Sequence, residues 1–189
     1  DHVPPKSFFA RPRPATLITV PSCEACNNGA SLDDQYFRDM VLWHHQVSDL
    51  PQAQAQVASM VARATAPSAV GYWNYLKGKL RRLVIRTKSG RIAATAPAIA
   101  VDAQRMQRVA QRYLRGLFSH VHGRRLALSA SIVVQVDPDA VNSQKAEIER
   151  LLAGSPGRIV QQGVFWFVQR ITTDNPKVSV WLLVFFDQY

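Results

Sequence analysis

Two cysteines separated by two residues carry the clearest chemical signature in this sequence. Cys23 and Cys26 are the only cysteines among its 189 residues, too few for the disulfide framework of a small secreted domain. Their spacing is that of half a structural zinc site or of a redox pair. A redox pair would need a thioredoxin-like strand–helix pattern around it, and the sequence has none. We therefore expect a zinc half-site, with two thiols in a loop as the alternative.

The cysteine pair belongs to a series of four features near the beginning of the sequence. Residues 1–6 read Asp-His-Val-Pro-Pro-Lys, residues 17–21 read Leu-Ile-Thr-Val-Pro, and residues 23–29 read Cys-Glu-Ala-Cys-Asn-Asn-Gly. An amphipathic helix is predicted next, over residues 32–47, with Ser31 as its N-cap. Each feature alone is common in proteins, so the information lies in their order.

In this order the four features resemble the HNH nuclease family in its HNN-type variant, including a group of bacterial and phage HNH proteins. The family signature begins with Asp-His at the end of a first strand, and Asp1-His2 matches it. The resemblance covers about residues 1–45 and implies a ββα-metal fold: two short strands and a loop, then a helix. Zinc-bearing members carry a second Cys-x-x-Cys upstream of Asp-His, and we expect that part to precede Asp1 in a longer protein.

The resemblance also implies a role for each matching residue. His2 would be the general base that takes a proton from the attacking water, as a neutral imidazole can. Asp1 and Asn27, with Asn28 as the alternative to Asn27, would hold Mg²⁺ or Mn²⁺ through carboxylate and amide oxygens. Thr16 occupies the place of the family's middle Asn, which holds the loop of the catalytic histidine, so we include Thr16 in the catalytic set. Zn²⁺ would be structural and would need the upstream cysteines.

The rest of the sequence predicts helices and strands in mixed order. Helical periodicity with caps predicts the helices, and apolar runs between turn residues predict the strands. The predicted helices cover residues 51–65, 68–82, 102–123 and 139–153, and the predicted strands cover residues 16–20, 83–87, 91–94, 99–101, 131–136, 163–172 and 178–186. We expect an α+β fold, with an HNH-like ββα-metal module over residues 1–48 and a basic antiparallel-sheet-plus-helices domain over residues 49–189.

The charge balance points to a polyanionic partner. The formal net charge is +10 and the sequence pI is near 10.2, which favours nucleic acid, and here DNA, as the partner. We expect the phosphate backbone to be held by Lys6, Lys77, Lys79, Arg81 and Arg82, with Arg86, Lys88 and Arg91 in the same cluster as the last four. A second group of arginines lies on one face of the helix predicted at 102–123, and is either a phosphate-tracking face or a solvated one.

Apolar runs in the sequence predict a core and no membrane span. Residues 178–186 form the longest such run, which is too short to cross a bilayer as a helix, and no secretion signal opens the sequence. We expect no membrane partner and a cytoplasmic location. The aromatic residues within 165–167 and 181–186 are predicted to form the sheet core rather than stacking surfaces for single strands.

Three classes of function stay open on these observations. The first is a metal-dependent DNA endonuclease. The second is a non-catalytic zinc-knuckle protein that binds nucleic acid, which Thr16 and the lack of a second cysteine pair favour. The third is a protein-interaction or toxin-type module whose charge attracts acidic partners, and it predicts no metal-dependent cleavage.

Overall fold

A computed structural model describes residues 1–64, 66–136 and 143–188, with the backbone alone for Ala25 and Cys26. It contains helices and antiparallel sheets, which confirms the α+β class. No helix in these described ranges is long and apolar enough to cross a membrane. The elements are α1 Glu24–Trp43, α2 Pro51–Ala64, α3 Val70–Gly78, β1 Leu80–Arg86, β2 Ile92–Ile99, α4 Ala103–His122, α5 Lys145–Leu152, β3 Arg158–Gln161, β4 Phe165–Ile171 and β5 Ser179–Phe185, with 3₁₀ turns at Lys6–Phe8 and Pro67–Ala69.

The chain divides into two compact units. Unit 1 consists of Asp1–Val57 and Ala103–Tyr189, and unit 2 consists of Ala58–Asp102. Their boundaries fall within α2 and just before α4. They do not coincide with the boundary that the sequence analysis places after residue 48, and the extent of an HNH-like module stays a prediction.

Unit 1 contains two long helices and a three-stranded antiparallel sheet. The strand order is β3-β4-β5, and α1 packs on α4. An aromatic cluster forms its core: the Phe185 ring lies 5.0 Å from Phe8, 4.8 Å from Phe165 and 5.5 Å from Phe37, between ring centroids. Such tilted contacts are favourable for aromatic rings. The rings come from the 3₁₀ turn, from α1 and from the sheet, so these elements share one core.

The C-terminal strands form part of the core, as the sequence predicts. Phe165, Phe167, Phe185 and Phe186 are buried, which confirms their assignment to the core. Helix α4 is confirmed as well: its apolar stripe, including the 2 % exposed Tyr113, is buried, and the helix ends at a glycine with positive φ.

Unit 2 contains α3 and a two-stranded antiparallel hairpin. Strands β1 and β2 pair from Leu80↔Ile99 to Arg86↔Ile92, so the predicted hairpin is confirmed and is longer than expected. Its turn contains Gly90 with φ +82°, a conformation that glycine adopts without steric cost. Helix α3 ends at Gly78 rather than near residue 82, because the chain already enters β1 at Leu80.

Two further predictions of secondary structure differ from the structure, and one strand was not predicted. Residues 131–136 form no strand; instead the side-chain amides of Gln107 and Gln111 donate to the carbonyls of Val134 and Ile132, at 3.3 and 3.1 Å, and hold this segment along α4. The helix expected over 139–153 is α5, which covers 145–152, while residues 137–142 lie outside the described part. Strand β3, with four residues and an irregular register, was not predicted.

Candidate functional site

The Asp-His segment is paired with the chain just before α1. The Val3 amide donates to the Ile18 carbonyl at 3.1 Å, and Asp1 and Val20 exchange backbone hydrogen bonds of 2.8 and 2.9 Å. His2 faces Thr19 across this short antiparallel pairing. The pairing is an isolated bridge, whereas the sequence analysis predicts a full strand over residues 16–20. The order along the chain is nevertheless an extended segment, a second extended segment and a helix.

Alternation along this segment decides which side chains are buried. Val3 and Ile18 are 5 % and 6 % exposed, so they anchor the pairing in unit 1. His2 is half-buried, on the other side of the chain from Val3. The backbone of α4 comes close to this anchor, because a Cβ placed on Gly116 would lie 2.6 Å from Val3 Cγ2 and 3.5 Å from Val20 Cγ2.

The environment of His2 favours its neutral form. Partial burial lowers the pKa of the imidazole, and the positive charges of Lys6 and Arg13 lower it further. A neutral imidazole can accept a proton, as a general base must. Arg13 was not among the predicted site residues; it lies close to Lys6, since its Nε donates to the Lys6 carbonyl at 3.3 Å. Nothing in the sequence pattern predicted the contact between Arg13 and Lys6.

Asp1 and Asn27 offer the oxygen ligands that the resemblance implies. Asp1 Oδ1 accepts the backbone N–H of His2 at 2.7 Å, which fixes the orientation of the half-buried carboxylate. Asn27 is exposed and lies in the first turn of α1. A carboxylate and an amide are ligands that Mg²⁺ and Mn²⁺ accept, with water and phosphate completing the shell. Among the described residues, no group of three or more His, Cys, Asp and Glu side chains could hold a metal ion.

Helix α1 begins earlier than the sequence analysis expects. It starts at Glu24 rather than at residue 32. The backbone N–H of Asn27 donates to the Cys23 carbonyl at 3.0 Å, which is the first helical hydrogen bond. Ser31 is therefore not the N-cap: its hydroxyl donates to the Asn28 carbonyl within the helix, at 3.0 Å. Glu24 supplies the acidic residue that the helix N-terminus favours.

The cysteine pair consequently spans the start of α1: Cys23 immediately precedes the helix and Cys26 lies in its first turn. Cys23 is exposed, and its backbone carbonyl accepts the first hydrogen bond of the helix. The side chain of Cys26 lies outside the part of the chain that the structure describes. The zinc half-site stays a prediction.

Thr16 makes a different contact from the one its family position implies. Its hydroxyl donates to the carbonyl of Val160 in β3, at 3.2 Å. Thr16 therefore connects the loop before the second extended segment to the sheet, and this hydrogen bond does not reach the segment of His2. The assignment of Thr16 to the catalytic set stays a prediction.

The two groups of basic residues separate clearly. On α4, Arg105 Nε lies 2.6 Å from Asp33 Oδ1 and Arg112 pairs with Asp34, both acids of α1, while Arg115 binds the Ala127 carbonyl at 3.0 Å. These arginines join α4 to its neighbours, so this part of the helix face is structural rather than phosphate-tracking. Asp33 and Asp34 lie in the middle of α1, as partners of α4.

The predicted phosphate-binding residues in α3 and the hairpin form no ion pairs with acids in the described part of the chain. Lys77, Arg81 and Arg82 are exposed and Lys79 is half-buried, all within unit 2, and in the described part of the chain no acid forms an ion pair with them. Lys6 is exposed as well, in unit 1 near His2.

Comparisons with protein-family models, with curated proteins and with solved structures gave no match for this chain. The resemblance to HNH nucleases therefore depends on the motifs of the sequence, and the function that follows from it is a proposal.

Proposed function

We propose that this chain hydrolyses DNA phosphodiester bonds as an HNH-type endonuclease. The observation that supports this most directly is the pairing of residues 1–3 with residues 18–20 immediately before α1. Two paired extended segments followed by a helix agree with the ββα order that the resemblance implies, with the Asp-His pair on the first segment. The charge of the chain, +10, favours a polyanionic substrate.

In this proposal His2 removes the proton of the attacking water. Its half-buried imidazole is kept neutral by desolvation and by neighbouring positive charges, so it has a free lone pair near neutral pH. Lys6 and Arg13 serve two purposes, since the same charges that lower the pKa of His2 attract the phosphodiester. Asp1 and Asn27 would hold Mg²⁺ or Mn²⁺, which supplies charge stabilisation for the leaving oxygen. Cys23 and Cys26 would belong to a structural zinc site, and the proposed location is the cytoplasm.

The test is metal-dependent cleavage by the parent chain and by His2→Ala. Plasmid and linear DNA are incubated with Mg²⁺ or Mn²⁺, with an EDTA control. We expect cleavage that EDTA abolishes and that His2→Ala slows at least about 100-fold, the usual contribution of a general base. His45→Ala removes an exposed histidine after α1 and should cleave like the parent. Equal cleavage by His2→Ala would refute the assignment.

A second candidate is a nucleic-acid-binding protein without catalysis. The hydrogen bond from Thr16 to Val160 favours this candidate. Thr16 is the residue at the place of the family's loop-holding Asn, and its hydroxyl is already bound to the sheet. Salt-sensitive DNA binding without cleavage by the parent would support it. Thr16→Asn is then the informative variant: gain of metal-dependent cleavage would return the chain to the nuclease class, and unchanged inactivity would favour the binding protein.

A further inference from the structure

The β1–β2 hairpin is exposed on both of its faces. Every residue of β1 is exposed, including Leu83 and Ile85 at 52 % and 44 %. On β2, Ile92 is 61 % exposed. A two-stranded hairpin is marginally stable without a covering layer, and a group of exposed apolar side chains marks an interaction site.

Uncompensated positive charge accompanies these apolar side chains. Unit 2 contains eight Lys and Arg residues and a single acid, Asp102. The guanidinium groups of the hairpin bind only neutral oxygens in the described structure: Arg81 binds the Leu80 carbonyl at 2.7 Å, and Arg86 binds the Gly90 carbonyl at 2.9 Å. Their full charges remain available to an anionic partner, in contrast to those of Arg105 and Arg112 on α4.

The register of the basic hairpin places small side chains opposite large ones, which keeps the hairpin narrow. On one face the long side chains all come from β1 and each faces an alanine of β2: Arg81↔Ala98, Leu83↔Ala96 and Ile85↔Ala94. At about 3.3 Å per residue, a strand of this length extends roughly 23 Å. The major groove of B-DNA, about 12 Å wide and 8.5 Å deep, admits a two-stranded ribbon of this kind.

We propose that the β1–β2 hairpin enters the major groove of duplex DNA. The face with Arg81, Leu83 and Ile85 meets the base edges, where the methyl group of thymine offers an apolar contact. Arg82 and Arg86 neutralise the flanking phosphates. This inference rests on the proposed action on DNA, and it identifies the double-stranded form as the substrate and the hairpin as the element that holds it.

The first test measures binding of a fluorescent duplex of about 20 base pairs, in EDTA so that cleavage plays no part. The triple variant Arg81→Gln, Arg82→Gln, Arg86→Gln should bind at least about tenfold more weakly. The slope of log affinity against log salt should fall by about two units, since Arg82 and Arg86 each contact a phosphate in this proposal and each such contact contributes about 0.9. The matched control loses the same charge from exposed positions outside the hairpin, Arg108→Gln, Arg125→Gln, Lys177→Gln, and should lose much less.

The second test distinguishes the groove from the backbone. A duplex whose cytosines carry glucosylated hydroxymethyl groups at C5 has the same phosphate charge and a blocked major groove. We expect binding at least about tenfold weaker than to the unmodified duplex, and also weak binding to an RNA duplex, whose major groove is too narrow and deep to enter. Equal affinity for the glucosylated duplex, or preference for single strands or RNA, would overturn the inference.

The two proposals fail separately. Hairpin-dependent duplex binding without any cleavage would remove the nuclease proposal alone. Cleavage and binding that the hairpin triple variant leaves unchanged would remove the hairpin proposal alone. Circular dichroism of each variant checks that the fold is intact.

Discussion

Arginine side chains in this chain differ in what they contact, and the difference was not visible in the sequence. Arg105 and Arg112 project from α4 at helical spacing and resemble a phosphate-binding face. Their partners, Asp33 and Asp34, are more than 70 positions away along the chain. Sequence periodicity places residues on a face of a helix, but it does not show which other element covers that face. His2, Asp1 and Asn27 were proposed from a motif, which is local, and a proposal of that kind needs no knowledge of long-range contacts.

The pair of acids on α1 allows a comparison between two ion pairs. Asp34 is the more buried and accepts hydrogen bonds from Arg112 and from the Tyr113 hydroxyl, the latter at 2.8 Å. Burial raises the pKa of its carboxyl in spite of these partners. Asp34→Ala leaves a guanidinium and a buried phenol without their acceptor, so we expect a loss of about 2–4 kcal/mol of unfolding free energy.

Asp33→Ala is the matched control for that measurement. The side chain of Asp33 is 32 % exposed against 14 % for Asp34. Its partner Arg105, 14 % exposed, keeps the Leu32 carbonyl as an acceptor at 2.9 Å when Asp33 is removed, so we expect a loss of only about 0–1 kcal/mol. Both variants are measured by urea unfolding. Equal losses would show that burial does not determine the strength of these pairs.

His122 predicts a dependence of stability on pH. Its Nε2 is buried without a hydrogen-bond partner in the described structure, and its ring lies 4.4 Å from Phe118 and 6.2 Å from Trp181, between centroids. Burial lowers the pKa of the imidazole, and the charges of Arg124 and Arg158 lower it further. The unfolded chain therefore binds a proton more readily, and the unfolding free energy falls as the pH decreases below about 6.5.

The check is urea unfolding at about pH 7.5 and pH 5.5. His122→Gln should show a smaller difference between the two pH values than the parent, with some difference left from His2, whose pKa is lowered too. His120→Gln, at an exposed position of α4, controls for the loss of a histidine. The same pH difference in His122→Gln and in the parent would contradict the prediction.

Among the elements, the segment around His2 depends on a close approach to α4. Gly116 has no side chain, and this is what allows Val3 to pack against the helix backbone. Glycine within a helix ordinarily costs about 0.5–1 kcal/mol relative to alanine. At Gly116 that cost is offset by the fit of the segment that carries the Asp-His pair.

A pair of Gly→Ala variants tests this packing. Gly29→Ala in α1 meets no atom within 4 Å, so we expect a gain of about 0.5–1 kcal/mol in unfolding free energy. Gly116→Ala places a Cβ 2.6 Å from Val3 Cγ2, so we expect no gain and a net loss of about 1–3 kcal/mol. Chemical unfolding gives the two values, and amide hydrogen exchange at Val3 and Val20 should accelerate in Gly116→Ala alone. Stabilisation of both variants would contradict the close approach.

The predictions were correct for elements whose pattern is local. They failed where contacts with a distant part of the chain determine the local structure. Helix α4 follows from its apolar stripe, and the β1–β2 hairpin follows from its turn. The segment at 131–136 has the alternation of a strand, but glutamine side chains of α4 bind its backbone in place of a neighbouring strand. The start of α1 was placed too late because Asn27, Asn28 and Gly29 are poor helix formers, and the packing of α1 on α4 outweighs that preference.

Over the whole molecule, positive charge is unevenly distributed. Most of the excess charge lies in unit 2, whose eight basic residues face one acid, whereas the basic residues of unit 1 are nearly balanced by acids. The net charge was known from composition, but its concentration on an exposed hairpin became evident only with the fold. Repulsion among these charges opposes folding and is screened by salt.

Salt should therefore stabilise this chain in the absence of any ligand. Raising NaCl from about 20 mM to about 200 mM should raise the Tm by about 1–3 °C. The triple variant Arg81→Gln, Arg82→Gln, Arg86→Gln should lose most of that rise, while Arg108→Gln, Arg125→Gln, Lys177→Gln should keep it. Calorimetry without DNA makes the measurement, and an equal rise in both variants would show that the hairpin charges do not repel one another appreciably.

The contact between Val3 and Gly116 has a consequence for the order in which this protein is made. A ribosome releases the Asp-His segment more than a hundred residues before Gly116, so the segment lacks this packing surface until α4 has emerged. Thr16 similarly waits for Val160. A nascent chain halted before α4 therefore has the proposed catalytic residues but not the structure that orders them, and any nuclease activity would begin only after α4 and β3 have been synthesised.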